Sequence, residues 1–280
     1  MSAEIKENYA LAALDMDGTL LNTAHETTAY TRNAIRRAAE AGKITALSTG
    51  RCLSELRDHL SAIPGIQYVI CENGACVYDV EKEKAIRQIS ISPEDIEFVL
   101  ETARRFDVTR QFFMNNQSYI ECTDENTLKR HNIYDFVSVF RTGSIYVKDL
   151  LECYRQEGGS IEKINIYFAT EADRERFCGL LTDRNLLLAH SIGIGLEISP
   201  RDATKARGLE ILCRYLNLPL SQVMAVGDGG NDVDIMRVAG LSVAMGNAIE
   251  EILALADVVT EDCNHDGAAK AIERYVMREV

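Results

Sequence analysis

The stretch Leu11-Ala12-Ala13-Leu14-Asp15-Met16-Asp17-Gly18-Thr19-Leu20 decides the fold. Tyr9–Leu14 is a short apolar run that stops abruptly at Asp15, and it reads as a fully buried strand of the kind found in parallel sheets. Two carboxylates leave its end two residues apart, so both can point into one crevice. Gly18 permits a sharp turn or a close backbone approach. Carboxylates this close resist double ionisation unless a cation intervenes. The arrangement suits a hard divalent ion, and Mg²⁺ is the usual choice beside phosphate. It also suits a division of labour, with Asp15 as nucleophile and Asp17 as general acid and then general base. Asp-Gly alone is a common turn. An apolar strand running straight into Asp-x-Asp-Gly-Thr is far less common and favours chemistry.

Working outward, Thr27–Ala41 reads as a helix, with Tyr30, Ala34, Ile35, Ala38 and Ala41 at helical spacing and Gly42 as its stop. Ile44–Leu47 and Tyr68–Cys71 read as further buried strands, Cys52–Leu60 as a helix and Cys76–Tyr78 as a hairpin return. Short apolar strands alternating with helices imply right-handed crossovers and a parallel sheet. From about Glu81 the texture changes to a mixture of hairpins and helices. Ser92-Pro93-Glu94 reads as an N-cap with Pro at the first helical position, leading a helix to about Phe106, and further helices are expected at Glu125–His131, Val147–Gln156 and Glu171–Leu181. Strands are expected at Thr109–Met114, Ser118–Cys122, Lys163–Ala169 and Leu186–Ala189. Alternation resumes near Leu196, with helices at Lys205–Leu216, Asn231–Ala239, Ala248–Leu255 and Gly267–Met277. Strands fall at Val223–Val226, Leu241–Ala244 and Val258–Val259. The fold class is therefore α/β: a doubly wound, Rossmann-like parallel sheet core (1–83 and 195–280) carrying a large inserted α+β domain (84–194).

Three further segments carry candidate chemistry. Ser48-Thr49-Gly50-Arg51 follows a strand, where a hydroxyl and the N–H groups of a helix start can bind phosphate oxygens; alone, such a segment is more often a simple cap. Lys205 sits near a helix N-terminus, against the macrodipole. It is either a surface lysine or a cation placed to neutralise a phosphate and the carboxylate that attacks it. Val226-Gly227-Asp228-Gly229-Gly230-Asn231-Asp232 runs from a buried strand through a glycine-rich turn into a helix. Asp228 would reach the crevice as a metal ligand, and Asn231 and Asp232 would support the metal shell. In open α/β sheets ligands bind outside the carboxyl ends of the strands, where three of these four segments fall.

Composition narrows the partners. The 280 residues carry a formal net charge of −13 and a pI near 4.9, which disfavours non-specific contact with nucleic acid or anionic lipid. A small phosphorylated substrate is repelled too, so it needs local positive charge. The eight cysteines form no C-x-x-C pair and no zinc-spaced cluster, and read mostly as buried free thiols of a reducing cytoplasm. The N-terminal Met-Ser-Ala-Glu-Ile-Lys-Glu-Asn lacks the basic start and apolar core of a signal peptide. No stretch approaches the length of a membrane span. The five histidines are isolated and there is no tryptophan.

Together, Asp15-Met16-Asp17-Gly18-Thr19, the hydroxyl of Thr49, Lys205 and Gly227-Asp228-Gly229-Gly230-Asn231-Asp232 resemble the ordered motifs of the haloacid dehalogenase-like superfamily of phosphatases. The insertion between Thr49 and Lys205 matches its Cof-type subfamily with a class IIB cap, and Cys71-Glu72-Asn73-Gly74-Ala75 is similar to that subfamily's Asn-Gly-Ala segment. Gly230, where many relatives carry Glu, and Lys205-Ala206-Arg207-Gly208, where Lys-Gly is more usual, are departures. The resemblance implies a Mg²⁺-dependent phosphatase for small phosphorylated metabolites, acting through an aspartyl-phosphate. In it Asp15 attacks and Asp17 handles protons. Thr49, Gly50, Lys205 and Asn231 hold phosphate. Asp15, Asp17 (through its backbone carbonyl), Asp228 and Asp232 hold or support the metal. The cap would close over the site and contact the leaving group; Arg141, Asn165 and Tyr167 are candidates there, although surface or core packing accounts for each more simply. A cytoplasmic monomer or homodimer is expected, without nucleic-acid or membrane partners. A phosphomutase shares the same motifs. A signalling receiver is shorter, lacks such an insertion and places its phosphoacceptor on a later strand. A non-catalytic phosphosugar-binding protein would not need every carboxylate.

Overall fold

The computed structural model describes residues 8–121 and 123–277. The expectations for the first seven residues and for Cys122 lie outside them. In chain order the elements begin with β1 (Leu11–Leu14), α1 (Ala29–Glu40), β2 (Ile44–Ser48), α2 (Leu53–Ala62), β3 (Tyr68–Cys71), β4 (Cys76–Asp79) and β5 (Lys84–Gln88). Next come α3 (Pro93–Ala103), β6 (Val108–Met114), β7 (Gln117–Glu121), α4 (Glu125–Arg130), α5 (Val137–Gly143), β8 (Ser144–Val147), α6 (Leu150–Glu157), β9 (Ile161–Phe168), α7 (Glu171–Gly179), β10 (Leu186–Ser191) and β11 (Gly195–Pro200). The chain ends with α8 (Lys205–Leu216), β12 (Val223–Gly227), α9 (Val233–Val238), β13 (Leu241–Ala244), α10 (Glu250–Leu255), β14 (Val258–Val259) and α11 (Gly267–Ala271).

These elements form two compact units. One holds the described residues up to Arg51, Arg57–Arg87 and the described residues from Thr204 onward. Its eight-stranded sheet runs β14-β13-β12-β1-β2-β3-β4-β5 among the described residues. The strands from β14 to β3 are parallel, and β4 returns antiparallel to β3. β1 lies between β12 and β2, where the winding reverses direction. That reversal is the switch point at which such sheets bind ligands. All four residues of β1 are buried, as a central strand covered on both faces requires. Leu209, Leu212 and Cys213 of α8 pack with Leu11, Ala13, Ala46 and Ile70 in one core cluster.

The other unit holds Cys52–Leu56 and Gln88–Ala203. Its six-stranded sheet runs β10-β11-β9-β6-β7-β8. Alternate residues of β9 (Ile164, Ile166 and Phe168) join Val99, Leu100, Phe112 and Phe177 in an apolar core. The opposite face of β9 carries Lys163, Asn165 and Tyr167, all buried. This unit continues past the expected return at residue 195, because β11 pairs antiparallel with both β10 and β9. At its other end β5 belongs to the first sheet, so the first unit extends beyond residue 83.

Several helices start where their caps say. Thr28, Ser92, Asp124, Asp149, Thr170 and Thr204 each accept a hydrogen bond from the backbone N–H three residues on. The expected helix Asn231–Ala239 opens instead with a 3₁₀ turn at Gly230–Asp232, because Asp232 folds back onto the N–H groups of Asp228 and Gly229. The expected helix Gly267–Met277 is α11 followed by a π-helical turn, Ile272–Val276. Tyr30 is exposed rather than part of the buried stripe of α1; its hydroxyl donates to Glu273, and Thr31 fills the buried position. Asn165 and Tyr167 hydrogen-bond with Gln111 inside the second unit, and Arg141 is exposed and donates to Glu125. Cys52, Cys71, Cys76, Cys153, Cys213 and Cys263 are buried free thiols and Cys178 is half-buried. No helix among the described residues is long and apolar enough to cross a membrane.

Candidate active site

β1 delivers Asp15 to the carboxyl edge of the sheet. The Asp15 N–H still donates to the Val226 carbonyl at 2.9 Å, so the strand pairing holds the nucleophile candidate in place. The chain then turns sharply: the N–H groups of Leu20 and Leu21 both donate to the Met16 carbonyl. Gly18 sits in this turn at φ +79°, and a Cβ there would lie 2.3 Å from Asp228 Oδ2. Only glycine allows both the backbone conformation and that approach. Thr19 Oγ1 donates to Asp228 Oδ1 at 2.8 Å, tying the β1 loop to the β12 loop.

β12 delivers Asp228 in the same way. A Cβ on Gly227 would lie 2.4 Å from the Asp232 carboxyl carbon, so this glycine makes room for Asp232 to turn inward. Gly230, by contrast, faces open space, with Ile249 Cδ1 at 4.0 Å as the nearest atom to a built Cβ. A larger residue would fit there, which explains why this departure from the motif disturbs nothing around Asp228.

Lys205 is the first residue of α8 and is 1% exposed. Its Nζ donates to Asp15 Oδ1 at 2.6 Å and to Asp232 Oδ1 at 2.7 Å. It is therefore a buried cation and no surface lysine. Gly74, at φ +96°, lets its helix come this close: a Cβ there would lie 1.9 Å from the Thr204 carbonyl oxygen. The glycine expected beside the lysine sits three positions on, at Gly208, where a Cβ would meet Ile70 Cγ2 at 2.4 Å. Gly74→Ala is expected to cost about 1–3 kcal/mol by overpacking alone, since backbone cannot yield as a side chain can. A lower melting temperature together with weakened catalysis would bear this out, and an unchanged melting curve would contradict it.

One oxygen from each of Asp15, Asp228 and Asp232 lies within 4.8 Å of the other two. Burial raises the Asp15 pKa well above the usual carboxylate range; Asp232 and Asp228 push the same way and Lys205 opposes. Burial, followed by the charges of Asp232 and Asp17, also raises Asp228, while Thr19 and Lys205 oppose. Burial would strip Lys205 of its proton, but the Asp15 and Asp232 charges outweigh it and hold the ammonium above its ordinary pKa. One ammonium does not balance three carboxylates, two of them buried (Asp15 and Asp232) and one half-buried (Asp228). The residual negative charge and the all-oxygen donor set fit a hard divalent cation.

The remaining expected residues lie around this cluster. Thr49 is buried at the end of β2, and its hydroxyl accepts the Arg51 N–H at 3.1 Å. A Cβ on Gly50 would stand 3.2 Å from Asn73 Oδ1, the same atom that accepts from Asn231 Nδ2 at 3.1 Å. Gly50 and Asn231 thus meet at Asn73, to which the sequence reading gave no role. The Asp17 carboxylate does not join the three others. It is half-exposed and turned to Arg51. Asn247 was also missed. Its Nδ2 donates to the Gly18 carbonyl at 2.9 Å and lies 3.4 Å from Asp228 Oδ2, while its Oδ1 accepts the Cys263 N–H. Its signal was present in the sequence: Leu241–Ala244 is another buried strand, and Gly246-Asn247 follows it after one residue, Met245.

Known proteins carry the same organisation. A profile of haloacid dehalogenase-like hydrolases matches residues 12–272. Phosphatase YwpJ of Bacillus subtilis is 28% identical over 297 residues, covering 95% of this chain and 99% of that protein. HMP-PP phosphatase of Yersinia pseudotuberculosis is 29% identical over 257 residues, covering 87% and 86%. The solved structure of BT4131, described as a subclass IIB sugar phosphatase, superposes with a TM-score of 0.75 at 25% identity, covering 94% of this chain and 97% of that one. With strand-end carboxylates, a buried lysine and a match across nearly its whole length, this chain is an enzyme that belongs to the haloacid dehalogenase-like hydrolase family, in its Cof-type branch.

Proposed function

We propose that this enzyme hydrolyses small phosphate monoesters, sugar phosphates or similar phosphorylated metabolites, by way of an aspartyl-phosphate on Asp15, with Mg²⁺ as its ion. One observation carries the reading. The buried Lys205 ammonium bridges Asp15 and Asp232 in a cluster shared with Asp228, at the carboxyl ends of β1 and β12. A buried cation there cancels charge where a nucleophilic carboxylate meets an anionic phosphoryl group. YwpJ and the HMP-PP phosphatase are named as phosphatases and BT4131 as a sugar phosphatase, which supports phosphate release from small phosphorylated compounds.

In this mechanism an Asp15 carboxylate oxygen attacks phosphorus in line, and the bond from phosphorus to the leaving oxygen breaks. Asp17 gives that oxygen a proton. Asp17 then takes a proton from water as the water attacks the phosphorus of the aspartyl-phosphate. Inorganic phosphate departs and the Asp15 carboxylate is restored. Lys205, the Thr49 hydroxyl, the Gly50 backbone and Asn231 hold the phosphoryl oxygens, so catalysis is mainly positioning and charge stabilisation. Mg²⁺, held by Asp15, Asp228 and the Asp17 backbone carbonyl with Asp232 in support, would supply further neutralisation of phosphoryl charge. The unit of Cys52–Leu56 and Gln88–Ala203 is assigned as the cap and the other unit as the catalytic core, in place of a cap bounded at 84 and 194. The enzyme is placed in the cytoplasm, where its free thiols stay reduced.

The test is phosphate release from a panel of sugar phosphates, flavin mononucleotide, pyridoxal phosphate and an aryl phosphate, with Mg²⁺ and with chelator. Release from at least one ester, lost on chelation, is expected. No release from any, by folded protein with Mg²⁺ present, would contradict the reading.

A further inference from the structure

Asp17 belongs to the strand-end motif, yet its side chain stands apart from the other carboxylates. Arg51 accounts for this. Its Nη2 donates to Asp17 Oδ1 at 2.6 Å and its Nε to Asp17 Oδ2 at 2.9 Å. Both oxygens are gripped by one planar fork, the geometry that fixes a carboxylate in direction as well as distance. The fork is itself placed. The Arg51 N–H donates to Thr49 Oγ1, the Arg51 carbonyl accepts from the Glu72 N–H at 3.0 Å, and Nη1 stands 3.4 Å from His59 Nε2. Burial and the Arg51 charge both push the His59 pKa down, so the ring facing the guanidinium favours its neutral form.

The pair is unlike a stabilising ion pair. The Asp17 side chain is 51% exposed, and water screens a pair in that setting, so it adds little to folding. What it does fix is orientation. Asp17 is near enough to Asp228 to act on it electrostatically. It also lines a cavity of about 450 Å³ with Asn22, His25, Asn247 and Asn264.

We propose that Arg51 is a positioning residue, which holds the Asp17 carboxylate beside the Asp15–Asp228–Asp232 cluster and out of it. The fork makes two carboxylates of one short motif differ in task. Asp15 faces the cation and the phosphorus, and Asp17 is kept free of the cation; it serves the leaving oxygen once one of its own oxygens has left the fork and taken a proton from solvent. Without Arg51, the Asp17 carboxylate turns in to become a fourth acidic ligand. This inference rests on the proposed role of Asp17 in proton transfer.

The test compares the full-length wild type with R51A, R51K and D17N on two substrates, glycerol phosphate and p-nitrophenyl phosphate. The alkyl ester has a poor leaving group that needs a proton donor; the nitrophenolate leaves without one. A misplaced general acid is therefore expected to cost R51A about 100-fold in kcat on glycerol phosphate. On nitrophenyl phosphate the burst of nitrophenolate, which reports formation of the aspartyl-phosphate alone, should slow only a few-fold, whereas the later hydrolysis, in which Asp17 activates water, is shared by both esters. Added guanidinium should restore much of the alkyl-ester rate, R51K should fall between, and R51A should bind Mg²⁺ several-fold more tightly by calorimetry, as an added acidic ligand requires. Equal losses in the rate of aspartyl-phosphate formation from both esters, without rescue, would overturn the proposal, as would unchanged rates and Mg²⁺ affinity. An inactive D17N beside an intact R51A would overturn only the part given to Arg51. Wild-type rates in D17N would instead overturn the reading of Asp17 on which the proposal rests.

Discussion

Asp15→Asn is expected to bring phosphate release to background, a loss on the order of 10⁴-fold or more, as removal of a covalent nucleophile does. The amide keeps the shape of the carboxylate but cannot form the acyl phosphate. The fold should survive. Asp15 is buried, and its pKa is raised by that burial with help from Asp232 and Asp228, so the folded protein already disfavours its charge. Removing that charge relieves repulsion within the cluster, and Lys205 keeps Asp232 as its partner. The metal-free variant should therefore melt no lower than the metal-free wild type. Its stabilisation by added Mg²⁺ should shrink, because one acidic ligand is gone. Retained activity, with the sequence of the variant confirmed, would contradict the assignment. A variant that failed to fold would contradict the account of the cluster's charge.

Lys205→Met has a different expected signature. The thioether fills a similar volume but leaves Asp15 and Asp232 buried without their ammonium. Breaking a buried pair from one side costs about 3–5 kcal/mol, chiefly because the surviving charges are uncompensated. Added Mg²⁺ should recover part of that loss, since a divalent ion restores some of the missing positive charge. Activity should still fall by about 10²–10³-fold with Mg²⁺ saturating, the usual effect of removing one preorganised electrostatic contact from a transition state. Melting curves with and without Mg²⁺, read beside kcat, separate the two effects. Full activity in the folded, Mg²⁺-saturated variant would show that Lys205 serves the fold alone.

The parallel core was legible because its strands are buried on both faces and therefore read as near-continuous apolar runs: Leu11–Leu14 and Tyr68–Cys71 are unbroken and end at Asp15 and Glu72, and Leu241–Ala244 is interrupted only by Ser242. The inserted unit was less so. β8 is four residues long, with Ile145 and Tyr146 exposed, so neither length nor alternation marks it. The helix expected from Val147 begins only at Leu150, although the Asp149 cap was there to be read. β5 hid in a charged run, Lys84–Gln88, at the edge of its sheet. At the site, each carboxylate motif was visible because it is contiguous. What the sequence did not show was which residues meet. Arg51 and Asp17 lie 34 positions apart, Asn73 and Asn231 158 apart, and Gly74 reveals its purpose only where Thr204 passes above it. Local pattern names the groups that can do chemistry, and the sheet's topology decides which way each one points.

The most direct test is to trap the phosphoenzyme. Substrate is mixed with the Mg²⁺-loaded enzyme, the reaction is quenched in acid, and the protein is reduced with borohydride. Reduction converts an aspartyl-phosphate to homoserine and leaves free carboxylates alone. Mass spectrometry of the peptide containing Asp15 should then show homoserine at position 15, only when substrate was present, and not in the Asp15→Asn variant. Turnover with no homoserine at position 15, or with the label on another carboxylate, would contradict the account.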